Sequence, residues 1–257
     1  HIGNYGQGIN PLGVMAHLIA DTEGDMSLID TCGSEMTPPP AWIYLRDRKE
    51  HYDVSLPQRV AACANFMMYD KTPDDVMYLL MKAARHAVDE TVKKMHSKLT
   101  MPVISGAELL KQAMSYPGFD VFYENVKNTS FLALQKGEST YAQETIHLIE
   151  KILHFIGMTE PVVVIAFAPP YYPAADSRSL GDARFDCLMQ AVKTVADVQF
   201  RHYFNGISDC SYCCVSPDLN EKMLENNLLL WGKSYQFDFS AMAHLQIPFL
   251  LLGPWGK

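Results

Sequence analysis

Three cysteines fall in one short stretch, Cys210-Ser-Tyr-Cys213-Cys214, and the two-residue gap between the first two is the spacing by which thiolates share a metal or act as a redox pair. A tetrahedral zinc site needs a second pair, or a histidine at similar spacing, and neither follows nearby. The cluster therefore reads first as structural, with metal and redox uses as alternatives. The nine histidines stand singly, and His86, His96, His147 and His154 fall on expected helices, where packing or surface roles are the plainer reading. No phosphate loop, His-Glu-x-x-His, Gly-x-Ser-x-Gly or dinucleotide fingerprint is present. Polar groups gather instead in three loops beside expected strands, at 1–10, 205–209 and 253–257.

Those loops need a scaffold, and the composition supplies one. The chain has 257 residues, of which 48% are hydrophobic and 19% charged, enough to bury a sizeable core. A net charge of -8 offers no general basic footprint for nucleic acid. The apolar runs at 162–168 and 247–252 are far shorter than the roughly 20 residues of a membrane helix. No charged-then-apolar leader opens the chain, so a cytoplasmic protein with six reduced cysteines, neither membrane-bound nor nucleic-acid-binding, is expected.

Asn10-Pro11 before Leu12, Val14, Met15, Leu18 and Ile19 predicts a capped helix over 11–20. Ala41 to Leu45 predicts a short strand. Thr72-Pro-Asp-Asp75, followed by Val76, Leu79, Leu80, Ala83, Ala84 and Ala87, predicts the firmest helix in the chain. Amphipathic stretches at 106–115, 119–135 and 139–156 precede the continuous apolar run Pro161 to Ala168, which suits a strand buried on both faces of a largely parallel sheet. A helix over 181–198, a short strand through Tyr203-Phe204 and a last strand from Pro248 to Leu252 complete the reading. The expected class is α/β, with a smaller α+β unit in the first hundred residues.

Taken in order, the three loops resemble the zinc-dependent metallopeptidase family of aminoacylases, glutamate-releasing carboxypeptidases and succinyl-diaminopimelate desuccinylases. The match lies in His1, Gly8 and Asn10, in Gly206-Ile-Ser-Asp209, and in the Gly253-Pro254 loop after an apolar run. Within that family the chain is most similar to RocB-type arginine-utilisation proteins. That likeness is carried over almost the whole length by Thr37-Pro-Pro-Pro40, Tyr52-Asp-Val, Pro57 and Arg59, Ala64-Asn-Phe66, Ala168-Pro-Pro-Tyr-Tyr-Pro173, Tyr203 to Asp209 and Leu252 to Lys257.

The resemblance implies a lid and dimerisation domain over 1–104, an antiparallel sheet with two helices short of its first strand. Residues 105–257 would be the C-terminal portion of a mainly parallel catalytic domain. It implies a two-zinc hydrolase of amide bonds in small amino-acid derivatives, with the metal ligands outside this chain and the fragment alone inactive. His1 would stabilise the oxyanion in the partner subunit's site of a homodimer. Asn10 would cap its helix or bind a substrate carboxylate. Gly206, Ser208 and Asp209 would hold that carboxylate, or simply reverse the chain. One departure is that Phe66-Met67-Met68 stand where relatives carry a carboxylate-clamping arginine. A non-catalytic binding or dimerisation module of the same fold is the alternative.

Overall fold

A computed structural model describes residues 8–49, 55–96, 98–204, 206–216 and 219–253. Helix α1 (Pro11–Thr22) begins where the sequence places it: Asn10 Oδ1 accepts from Leu12 N at 3.1 Å, and Pro11 occupies a first-turn position that needs no N–H partner. Helix α2 (Pro73–Lys94) opens with a capping box. The Thr72 hydroxyl accepts from Asp75 N while the Asp75 carboxylate accepts from Thr72 N. Asp74 and Asp75 lie at its positive end and Lys93 and Lys94 at its negative end. Packed together, the helices bury Val14 and Leu18 with Ala84, Ala87 and Val88, and the two small alanines permit a close approach.

Between these helices in sequence lie two antiparallel ribbons. Strands β1 (Thr31–Cys32) and β2 (Glu35–Met36) pair across a tight turn that places Gly33 at φ +59°, a region glycine enters without Cβ strain. Strand β3 (Ala41–Asp47) pairs with β4 (Val60–Asn65), with a register shift between Trp42 and Tyr44. Trp42 faces the helices, where its Nε1 donates to Thr22 Oγ1 at 2.8 Å. Ile43 and Leu45 are exposed on the other side.

Strand β5 (Val103–Ser105) pairs parallel with β6 (Val163–Ile165), and the alternation of side chains assigns each face to a different core. Val103, Val163 and Ile165 pack on the α1–α2 cluster. Ile104, Val164 and Ala166 pack on a cluster built by α3 (Gly106–Ala113), α4 (Phe119–Gln135) and α5 (Tyr141–Phe155) around Leu109, Phe119, Leu148 and Ile152. Two covered faces explain why the 161–168 run is continuously apolar rather than alternating. At the β5–α3 junction Gly106 is tightly enclosed: a Cβ there would lie 3.0 Å from Ala166 Cβ and 3.3 Å from a Leu229 methyl. The expected division after residue 104 falls inside β5.

Beyond β6 come a 3-10 turn over Ser177–Leu180, α6 (Ala183–Val195), a second 3-10 turn over Asp209–Tyr212, α7 (Glu221–Asn227) and α8 (Phe239–Leu245). Leu224, Leu228, Phe239 and Met242 form a third core with aromatic rings from Tyr212, Trp231 and Phe237. The fold is mixed α/β: α1 packs on the antiparallel β3–β4 ribbon and on α2, and α2 packs in turn on the parallel β5–β6 pair, which is covered on both faces. Among the described residues no helix is long and apolar enough to cross a membrane.

Two expected strands are not formed. At 203–204 the backbone is irregular because the N–H groups of His202 and Tyr203 bond to the Glu35 carboxylate instead of a neighbouring strand. The segment 248–252 is likewise irregular. Phe249 N donates to Ser177 Oγ and Ile247 N to Cys213 O, which ties the backbone to isolated acceptors and not to a ladder. The helix expected over 181–198 is shorter, ending at Val195, because Ala196 turns to extended backbone.

Candidate functional site

The 206–209 turn leads into the 3-10 turn Asp209–Tyr212. Ser208 caps that turn: its Oγ accepts from Cys210 N at 3.2 Å, and its carbonyl accepts from Ser211 N at 3.0 Å. A hydroxyl that accepts one bond still has a proton to donate, so capping and carboxylate binding are compatible at Ser208. Gly206 N donates to Phe204 O at 2.9 Å, so this N–H is already engaged within the chain. Gly206 also lies against the Phe204 ring, where a Cβ would come within 2.6 Å of a ring carbon. Asp209 is exposed on the first residue of the 3-10 turn.

Of the other expected site residues, Asn10 belongs to a different element, and its hydrogen bonds go to Leu12, Gly13 and Val14 of its own helix. His1 lies outside the described residues, as do residues 254–257 of the last loop. The structure thus gathers Gly206, Ser208 and Asp209 in one turn and leaves Asn10 at the start of α1.

A group of residues to which the sequence assigns no site role is tied to the segment directly before this turn. Glu35, nearly fully buried on β2, accepts from His202 N at 2.6 Å and from Tyr203 N at 3.3 Å. The Tyr203 ring stacks on Tyr69 with centroids 4.3 Å apart, and its hydroxyl donates to Asp70 Oδ1 at 3.2 Å. Burial, and next the Asp70 charge, push the Tyr203 phenol well above its ordinary value. His202 Nδ1 lies 3.0 Å from Asp176 Oδ2, an arrangement that orients the imidazole through one nitrogen. Cys32 sits beside the same tyrosine, and burial followed by the Asp70 carboxylate pushes its thiol up, which disfavours a nucleophilic thiolate there. Asp30 anchors the adjoining loop. Its carboxylate accepts from the backbone N–H groups of Thr31, Tyr69 and Lys71, and Lys71 Nζ is 3.4 Å away.

These contacts fasten the β1–β2 ribbon and the loop before α2 to residues 202–203. The signal for them in the sequence is faint: an acid in the short Cys32-Gly-Ser-Glu35 ribbon, far along the chain from the backbone it binds. Among the described residues no group of three or more His, Cys, Asp or Glu side chains converges in a way that could hold a metal ion. Open hollows of about 560 and 480 Å³ lie at 193–198 and 114–124, and neither includes the 206–209 turn.

Comparison with known proteins places this arrangement beside two relatives from Bacillus subtilis (strain 168). The uncharacterised protein YqjN is 21% identical over 285 aligned residues, and protein RocB is 24% identical over 279. Each alignment takes in 100% of this chain, and 50% and 49% of the respective relative. The chain therefore spans about half the length of the curated relatives it matches. No protein-family model matches the chain, and no solved structure does so significantly. What these comparisons establish is a distant relationship to RocB and YqjN that runs from one end of this chain to the other.

Proposed function

We propose that this chain forms the lid-bearing part of a hydrolase that cleaves an amide bond in a small amino-acid derivative, in arginine utilisation. The observation that carries the reading is the alignment of the entire chain with RocB. The reading is supported by the presence within residues 1–104 of two helices and an antiparallel ribbon, the kinds of element of which the implied lid is built. In this reading residues 1–104 are the lid and mediate a homodimer, and the protein works in the cytoplasm.

The described residues do not fit a zinc site, so the two zinc ions of the proposed reaction would be held outside them. The chain's own contribution is binding and orientation. Ser208 donates its hydroxyl proton to the substrate carboxylate, and Asp209 and Gly206 shape the turn that presents it. On a separate element, Asn10 stands at the positive end of α1, where an anion is favoured. His1 is assigned the oxyanion donor in the partner's site.

The test is incubation of the intact protein with N-acyl amino acids and small amino-acid amides, following the release of amine and carboxylate. Hydrolysis of at least one class is expected. If none is cleaved, and the protein instead binds these compounds unchanged, it is a non-catalytic binding module.

A further inference from the structure

Cys210 and Cys213 bracket the 3-10 turn that follows Ser208, and the geometry of that turn brings their thiols together. Cys213 N donates to Cys210 O at 3.0 Å, and Cys213 keeps a helical backbone at φ -74°, ψ -27°. In a 3-10 turn residues i and i+3 eclipse, and three steps of about 2 Å put their Cα atoms roughly 6 Å apart. A disulfide requires about 4.4–6.8 Å. Both side chains are half-buried and so reachable from solvent. The two sulfurs lie within hydrogen-bonding reach of each other, and because burial and the neighbouring Cys210 hold the Cys213 thiol up, the first attack on an external disulfide falls to Cys210.

Cys214 is excluded as the partner. It is buried, it follows Cys213 directly and so points elsewhere, and its sulfur accepts from the Asp176 backbone. The turn is also coupled to its surroundings, because Ser208 caps its start and Ile247 N bonds to the Cys213 carbonyl.

We propose that Cys210 and Cys213 form a reversible dithiol–disulfide pair, oxidised by a low-molecular-weight disulfide such as oxidised glutathione. One thiolate attacks the external disulfide, forming a mixed disulfide and releasing one glutathione thiolate, which takes up a proton. The second protein thiol loses its proton and attacks the mixed disulfide at the protein sulfur, expelling the second glutathione. Two protein thiols and one external disulfide become one internal disulfide and two external thiols. Closure of the pair clamps the turn that carries Ser208.

The experiment is incubation of the whole protein with mixtures of reduced and oxidised glutathione, followed by acid quench and peptide mass mapping. The expected result is a Cys210–Cys213 peptide lighter by two hydrogen atoms, formed equally in Cys214→Ser and reversed by reduced glutathione. In Cys213→Ser, Cys210 is expected to stop at the glutathione adduct. Hydrogen exchange across 209–213 should slow several-fold on oxidation of the unsubstituted protein. Recovery of Cys210 and Cys213 in that protein as free thiols, as two separate glutathione adducts, or in disulfides to other cysteines overturns the proposal.

Discussion

The carboxylate of Glu35 accepts the backbone N–H of His202 at 2.6 Å across 167 positions of sequence, joining the first ribbon of the chain to the segment that leads into the 206–209 turn. A buried carboxylate in this position replaces the strand neighbour that the backbone of 202–203 would otherwise need. Replacement of Glu35 by Ala leaves two N–H groups to find water. We expect a loss of about 1.5–3 kcal/mol, the range for a hydrogen bond to a charged group, with faster hydrogen exchange at 202–204. Urea unfolding and exchange mass spectrometry measure both.

Asp30 makes the adjoining loop sensitive to acid. Burial alone would raise its carboxyl, but the N–H groups of Lys71, Tyr69 and Thr31, and then the Lys71 charge, outweigh it and hold the group below its ordinary value. A depressed folded-state pKa gives stability that is fully present above the unfolded value, near 3.9, and is lost as pH falls through the folded value. Asp30→Asn is therefore expected to be less stable at neutral pH and to lose less stability on acidification. Urea midpoints from pH 7 down to about pH 3 test this, and parallel curves for the two proteins would contradict it.

The core between α3 and α5 is closed around Leu148, which is fully buried. Leu148→Ala is expected to cost about 2–5 kcal/mol through lost transfer energy and the cavity left behind. Thermal denaturation provides the measurement.

Ser208 joins fold and proposed chemistry. Ser208→Ala removes the cap on the 3-10 turn at a cost of about 1 kcal/mol and also removes the donor assigned to the substrate carboxylate. If the proposed hydrolysis is catalysed by the intact protein, KM is expected to rise by roughly tenfold with kcat changed less, the pattern of a lost binding contact. Ser208→Thr, which keeps the hydroxyl, should recover most of the loss.

Local chemistry made much of the fold legible. Thr72, Pro73 and Asp75 announce α2 because each satisfies an N-terminal requirement within a few residues. Asn10 and Pro11 do the same for α1. β6 was readable because coverage on both faces makes its run uniformly apolar. By contrast, β5 is three residues long and follows Pro102, leaving too little pattern to detect. Tyr203 and Phe204 have strand-favouring side chains, but their segment is organised by Glu35 and Tyr69, which no local rule connects to it. A shorter but still non-local separation hid the Asp176–His202 contact, whereas the residues of the 206–209 turn are contiguous.

The most direct test of the central claim is turnover of an amino-acid amide or N-acyl amino acid by the intact protein before chelation, after chelation and after zinc is restored. The account predicts hydrolysis that is abolished by chelation and recovered with zinc. Hydrolysis unaffected by complete metal removal, or none in any of the three states, would contradict it.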